Sequence, residues 1–294
     1  MTLPDQASFV YAGRGPKLFT SGGTRGTVIS TASTVIVLGV IVTILALAPG
    51  AKDVEHAFFS PPNMWRSLVG NPSKGYYSVA GAIWLNIRMF LVAEALILPL
   101  ALLIALIRLS AHPALFPIRL LATGYVDFFR GVPLLLVIYM LGYGVPALQL
   151  PVISSQHLVV YGVTALVVSY SAYVSEVFRA GLNSVHSSQV AAARSLGLPQ
   201  FTALRYVILP QAVRNIIPPL LNDFISLQKD TALVGVLGVI EAAQAANIYG
   251  SQFFNYSSFT VAAILFLLLT IPLARFTDRL IERDRQRRLA GAAA

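Results

Sequence analysis

The 294-residue chain has no cysteine, which excludes disulfides, thiol catalysis and thiolate metal sites. Charge is scarce: Asp, Glu, Lys and Arg make up 11% of the residues while 56% are hydrophobic, far from the roughly 25% charged residues of a soluble domain. Histidine is nearly absent too. His56, His112, His157 and His186 are scattered without metal-ligand spacing and read as ordinary surface positions. There is no Gly-x-x-x-x-Gly-Lys-Ser/Thr loop to cradle nucleotide phosphates, so energy has to come from a partner or a gradient. Within the apolar stretches there is no His pair, Ser-His arrangement or metal cluster, which argues against an intramembrane enzyme. The net charge of +9 is not arranged as a basic stripe interleaved with aromatics, and nucleic acid is therefore not expected as a partner.

What is present is long apolar runs. Six read as membrane spans: about Val28 to Leu47, Gly81 to Ile107, Gly131 to Ala147, Leu158 to Phe178, Ile217 to Ala246 and Phe259 to Leu273. Their departures from about 20 residues are of a size that tilt, interfacial ends and breaks absorb. The expected fold is an all-α polytopic membrane protein. Basic residues followed by the first apolar run and its small-residue ending Leu45-Ala46-Leu47-Ala48 also resemble a signal peptide, but the run exceeds the roughly 7 to 15 apolar residues of a signal, so the span is expected to be retained.

The basic residues orient the spans. With the N-terminus inside, Arg14, Lys17, Arg25, Arg108, Arg119, Arg130, Arg179, Arg194, Arg205, Arg214, Arg275, Arg279, Arg283, Arg285, Arg287 and Arg288 share one side, sixteen of the 21 Lys and Arg. Only Lys52, Arg66 and Lys74 fall in the opposing loops. The positive-inside rule places both termini in the cytoplasm. The segment 49–80 carries Phe58, Phe59, Trp65, Tyr76 and Tyr77 and suits an external stretch lying at the membrane interface, too short for a folded enzyme domain.

One water-compatible stretch is wedged between the spans: Ser187 to Gln211, SSQVAAARSLGLPQFTALRYVILPQ. Ser187 or Ser188 can cap a helix containing Ala191, Ala192 and Ala193, and Gly197 can end it in a left-handed cap. Pro199 fits the first turn of a second helix, which Pro210 is expected to stop. The product is a cytoplasmic helix-turn-helix elbow with a small-residue face, far longer than a plain loop between spans.

These residues carry a resemblance. The chain resembles, from about Ala80 to Arg283, the permease subunits of ATP-binding-cassette importers, and among them the polar amino acid permeases. The elbow matches the family's coupling motif (Glu-Ala-Ala, a following Gly, then Ile-Leu-Pro) at Ala191-Ala192-Ala193, Gly197 and Ile208-Leu209-Pro210, with Ala191 where the family has glutamate. Three further stretches match in order: Phe129-Arg130-Gly131-Val132-Pro133, Ser171-Ala172-Tyr173 through Glu176-Val177-Phe178-Arg179-Ala180-Gly181, and Lys229-Asp230-Thr231-Ala232-Leu233.

The resemblance implies a five-helix importer core over 81–274, including the coupling loop 182–212. An extra N-terminal helix over 28–48, a cytoplasmic tail over 1–27 and a C-terminal tail over 275–294 would flank it. It also implies a bacterial inner-membrane location and two ATPase subunits docked on Ala191, Ala192, Ala193, Gly197, Ile208 and Pro210, with ATP and Mg bound by those subunits and no cofactor in this chain. A second permease, identical or homologous, and an extracellular amino-acid-binding protein complete the implied assembly. The competing class is a gradient-driven carrier or channel, which needs no elbow, and no inverted repeat is visible.

Ionisable residues inside the spans are the candidate substrate contacts, because each costs at least about 2.5 kcal/mol at the bilayer centre unless it faces protein, water or substrate. Asp223, Ser226 and Asp230 are spaced i, i+3 and i+7 on one helical face, with Thr231 beside them. They read either as a cavity lining in which Asp230 takes an ammonium or as a structural site neutralised by Lys229 or an arginine. Glu94 lies six positions from Arg88 and on a different face, so it requires a partner from another span, a sister subunit or the substrate. Arg130 is expected to pair with Asp127 or Glu176. The C-terminal stretch Arg275 to Arg288 reads as a charged helix continuing the last span.

Overall fold

The computed structural model describes residues 24–292. The N-terminal tail as far as residue 23, with Arg14 and Lys17, lies outside the described residues. The chain divides into two compact units, Met1–His56 and Ala57–Ala294. In the first, α1 (Thr24–Leu47) holds an apolar stretch, Val28–Ile44, and α2 (Ala51–Phe58) begins after a turn at Gly50.

The second unit is helical, with only an isolated antiparallel bridge between Asn71 and Tyr76. Its helices are α3 (Pro61–Val69), α4 (Val79–Leu109), α5 (Phe116–Gly131), α6 (Leu134–Tyr139), α7 (Val145–Ala147), α8 (Leu158–Asn183), α9 (Ser187–Ser195), α10 (Gln200–Ala203), α11 (Leu209–Asp230), α12 (Ala242–Phe253) and α13 (Ser257–Ala292). Three described stretches are unbroken and apolar enough to cross a membrane: Val79–Leu109, Leu158–Asn183 and Ser257–Arg283. Two helix pairs are long and apolar enough only when taken together, each bent at a break: Pro113–Gly131 with Leu134–Ala147 by 108°, and Phe201–Leu237 with Ala242–Phe253 by 48°.

The breaks refine the expectation of single spans from Gly131 to Ala147 and from Ile217 to Ala246. Val132 and Pro133 interrupt the first, since Pro133 lacks the N–H that would continue the helix. In the second, the backbone tightens into a 3₁₀ stretch over Thr231–Leu237 and turns at Gly238. Irregular backbone at membrane depth is stable only where other protein groups satisfy it.

Within the second unit, the part of the expected external interfacial stretch from Ala57 onward is itself folded onto the helices. Ser257 Oγ accepts from the Ser60 N–H at 3.0 Å, Thr260 Oγ1 donates to the Phe58 carbonyl at 2.6 Å, and Tyr249 Oη donates to Asn63 Oδ1 at 2.7 Å. Tyr76 is buried edge-on against Tyr249 and Phe253, both ring pairs at 5.3 Å, while Trp65 stays 67% exposed on α3. Asn63 and Tyr76 thus hold α3 and its loop to α12.

The core lies where α4, α8 and α11 meet, built from Met89, Phe90, Ala93, Ile97, Tyr161, Ala165, Leu166 and Leu227, with Val137 and Ile138 of α6 and Val234 of the 3₁₀ stretch completing it. Since lipid tails are as apolar as leucine, helix association in a membrane draws on close packing and small residues. Two glycines of α8 supply this: a Cβ on Gly162 would strike Val234 Cγ1, and one on Gly181 would strike Ile216 Cγ1. Val234 and Ile216 are β-branched and cannot swing aside freely. Gly162→Val is therefore expected to cost about 1–3 kcal/mol of packing, read as a lower thermal unfolding midpoint of the purified protein in detergent.

Candidate functional site: a broken helix, a carboxylate cluster and an elbow

Three polar constellations stand out from the apolar bundle. The first holds the break between α11 and α12. Glu241 is fully buried at the N-cap of α12, where its carboxylate accepts the Ala243 N–H at 2.8 Å and the Gln244 N–H at 2.7 Å. Buried Asn86 of α4 donates to Glu241 Oε2 at 3.0 Å and to Thr231 Oγ1 at 3.1 Å, and its own oxygen accepts the Ala242 N–H at 3.0 Å. Thr231 Oγ1 in turn donates to the Gln228 carbonyl at 2.8 Å. The N–H groups left orphaned by the break are thereby satisfied without water.

Thr231, expected from the sequence beside Asp230, is bonded into this hub. Its hydroxyl is fully buried and already bonded as donor and as acceptor, so it belongs to the break. Glu241 was not singled out from the sequence. The available signal was a lone carboxylate in the apolar stretch from Thr231 to Tyr249, directly before the helix-forming run Ala242-Ala243-Gln244-Ala245-Ala246.

The second constellation is a cluster of carboxyl groups. Glu94 stands midway along α4, Asp223, Ser226 and Asp230 lie half-buried along α11, and Tyr170 of α8 donates to Asp230 Oδ2 at 2.7 Å. Glu94 is within electrostatic reach of Asp223, and Tyr170 of both Asp223 and Asp230. One oxygen of Asp223 is buried without a hydrogen-bond partner among the described residues. Neither Glu94, Asp223 nor Asp230 has a Lys or Arg partner among them, and Lys229 is exposed. The neighbour of Glu94 from another span is thus a second carboxyl. Ser226 shares the helix, and no recorded bond ties it to the others.

Glu176 of α8 organises the third. Arg108 of α4 contacts one of its oxygens, Arg179 Nη2 lies 2.7 Å from the other, and Arg130 Nη1 is 4.0 Å away. Of the two partners expected for Arg130, the structure places Glu176 nearby; Asp127 is in no ion pair among the described residues. Arg179, in the last turns of α8 before the elbow, is directed to Glu176.

Beyond α8 the chain forms the elbow. His186 caps α9 by accepting the Ser188 N–H at 3.2 Å, in place of the serine cap expected at Ser187 or Ser188. Gly197 adopts φ 75°, a left-handed conformation that costs a side-chain-bearing residue more, and the Leu198 N–H closes back on the Ala193 carbonyl at 3.2 Å. Ala191 and Ala192 are exposed while Ala193 is buried against the turn. The second helix does not stop at Pro210. α10 passes through a π-helical turn over Leu204–Ile208 into α11, and the wider turn leaves Pro210 at the start of the new α-helical register, where its missing N–H does no harm. Leu196, 80% exposed, and Phe201, 70% exposed, project from the elbow with Tyr206.

Residues 97–286, well over half the chain, match the family described as "Binding-protein-dependent transport system inner membrane component". The chain belongs to that family. It is 38% identical to the probable amino-acid permease protein YxeN of Bacillus subtilis over 68% of this chain and 88% of that one. It is 32% identical to the putative glutamine transport system permease protein GlnP of Rickettsia typhi over 75% of this chain and 98% of that protein. Among solved structures it resembles an amino acid ABC transporter crystallised with histidines, with a TM-score of 0.64 and 31% identity over 70% of this chain and 93% of that one. The MetNI methionine ABC transporter shares the fold, with a TM-score of 0.57 at 19% identity over 76% of this chain and 98% of the other. The chain is therefore a multi-pass inner-membrane permease subunit of an ABC importer, a family that works with an ATPase and a substrate-binding partner.

In such a permease the buried hub is a structural requirement for the broken span. Glu241→Ala would leave the Asn86 amide and two backbone N–H groups without their acceptor, with an expected loss of about 2–4 kcal/mol. Thermal unfolding in detergent checks this, and Asn86→Ala combined with it is expected to cost clearly less than the two single effects added together.

Proposed function

We propose that this permease carries a polar amino acid inward and that its ammonium, or a cationic side chain, is received by the carboxylates of Glu94, Asp223 and Asp230. The observation that carries the reading is that Asp223 of α11, with one buried oxygen lacking a hydrogen-bond partner, lies within electrostatic reach of Glu94 of α4, and that neither has an arginine or lysine partner among the described residues. Like charges at membrane depth repel and are poorly solvated, so a cation entering between them gains an interaction that no resident side chain supplies. Tyr170 holds Asp230 in place through its hydroxyl, and Ser226 adds a polar group on the same helix. The amino-acid and glutamine permeases among the relatives favour an amino acid as the carried solute.

The driving machinery lies outside the chain. Two ATPase subunits that bind ATP and Mg dock on the elbow over Ala191, Ala192, Ala193, Gly197, Ile208 and Pro210, and the exposed Leu196 and Phe201 give them an apolar foothold. A second permease, identical or homologous, completes the pathway, and an extracellular binding protein delivers the substrate. Both termini and the elbow face the cytoplasm, in keeping with the distribution of basic residues. Closure of the ATPases on ATP moves the elbows; because α10 continues through the π-turn into α11, that motion is transmitted along the helix bearing Asp223 and Asp230. The carboxylates would then be presented to one side of the membrane and, after hydrolysis, to the other. Arg108, Arg130 and Arg179 keep Glu176 neutralised as a fixed point beside the moving elbow.

Two measurements test the reading on the reconstituted complex in proteoliposomes. Asp223→Asn is expected to reduce amino-acid uptake at least about tenfold, since removing one charged partner of a desolvated pair costs 2 kcal/mol or more, while the complex still assembles; wild-type uptake would count against the cavity. Gly197→Val, which forces a β-branched residue into φ 75°, is expected to let the protein insert yet uncouple ATP hydrolysis from uptake. Coupled, wild-type uptake would count against the elbow as the transmission point.

A further inference from the structure

Where α4 ends, α5 begins and α8 reaches the elbow, a cavity of about 250 Å³ is lined by Arg108, Arg119, Arg179, Phe116, Leu120 and Thr123. Three guanidinium groups share it and one carboxylate, Glu176, answers them. Arg108 and Arg179 are committed to Glu176, and Arg130 approaches the same carboxylate. Arg119 has no carboxylate partner among the described residues. It donates to the Ser110 carbonyl at 2.7 Å and lies over the Phe116 ring at 5.6 Å, which fixes the side chain at the cavity mouth without neutralising it. The cavity therefore keeps an excess of positive charge in a partly buried setting, and the importer cycle gives Arg119 no part.

The rim is apolar and open. Phe116, Leu120 and Leu121 are exposed on α5, and no described residue covers them. A site that joins uncompensated guanidinium groups to an apolar slope at the end of a membrane bundle matches a molecule with an anionic phosphate and a hydrocarbon tail. A carboxylate from a docked soluble subunit would satisfy the arginines but would leave the lipid-level apolar face of α5 uncovered. We infer that Arg119, with Arg108 and Arg179, forms a binding site for the phosphodiester headgroup of an anionic phospholipid, whose acyl chain lies along Phe116 and Leu120. Bound there, the lipid bridges α4, α5 and α8 next to the first residues of the elbow. The inference concerns the membrane-embedded permease and is independent of which amino acid is carried.

The test uses the intact transporter complex in detergent, titrated with phosphatidylglycerol or phosphatidylcholine and read by native mass spectrometry. Phosphatidylglycerol is expected to bind the wild-type complex more tightly than phosphatidylcholine, and Arg119→Gln is expected to weaken phosphatidylglycerol alone by about fivefold, the worth of one basic residue at a lipid headgroup. Arg119→Lys should retain part of the preference. Equal binding of the two lipids to wild type, or unchanged phosphatidylglycerol binding in Arg119→Gln, would overturn the site. Full displacement of the lipid by millimolar inorganic phosphate would assign the cavity to a free anion instead. Loss of the ATPase from Arg119→Gln with lipid binding intact would make it a protein contact. If that variant does not fold, a photoactivatable phosphatidylglycerol on the wild-type complex decides: labelling within Phe116–Thr123 is expected, and labelling confined to other segments would refute the site. Amino-acid-stimulated ATP hydrolysis by the same wild-type sample reads the importer function separately, so failure of one is distinguishable from failure of the other.

Discussion

A bilayer offers no water to an open backbone, and this protein opens its backbone twice within spans. The interaction that makes the second opening tenable is the buried carboxylate of Glu241. It caps α12 through two N–H groups and is itself held by Asn86, so α4, the 3₁₀ stretch and α12 are joined by a single network. Every polar atom in it is partnered inside the protein, the condition under which a buried network specifies a structure instead of weakening it. The orientation of α11, and with it the positions of Asp223 and Asp230, depends on where that network anchors the end of the helix.

The charges at membrane depth fall into two kinds that composition does not separate. Glu176 meets Arg108, Arg179 and, at longer range, Arg130, and so becomes part of the scaffold near the elbow. Glu94 and Asp223 lie within electrostatic reach of each other and pair with no basic side chain among the described residues. A protein that had to neutralise every intramembrane charge for stability alone would have supplied a cation to both places. No such cation lies beside Glu94 and Asp223 among the described residues, which is the contrast on which the proposed substrate site rests, and the same contrast sets Arg119 apart from its two arginine neighbours.

Local signals carried well along the elbow and poorly across the bundle. Gly197 and the alanine run define the turn because helix capping and left-handed φ are decided within a few residues. Even there, local reading erred by a step: His186 takes the cap from the serines, and Pro210, a reasonable stop signal, is absorbed because the π-turn before it shifts the hydrogen-bond register. The spacing of Asp223, Ser226 and Asp230 announced a polar face, but Thr231, adjacent in sequence, turns away into the Asn86 hub once the helix tightens to 3₁₀.

The sequence by itself determined the solvent. Its apolar runs, the one-sided arginines and the capped elbow follow from hydropathy, charge and backbone preferences that act over one helix or less. The tertiary structure alone decided which polar residues meet. That Glu94 faces Asp223, that Asn86 finds Glu241 and that Arg108 reaches Glu176 all depend on the crossing of helices far apart in the chain, set by close contacts such as Gly162 beneath Val234 and Gly181 beneath Ile216. Pairings of that range leave no periodic trace in a single sequence, because each helix encodes its own face and only packing assigns the face opposite.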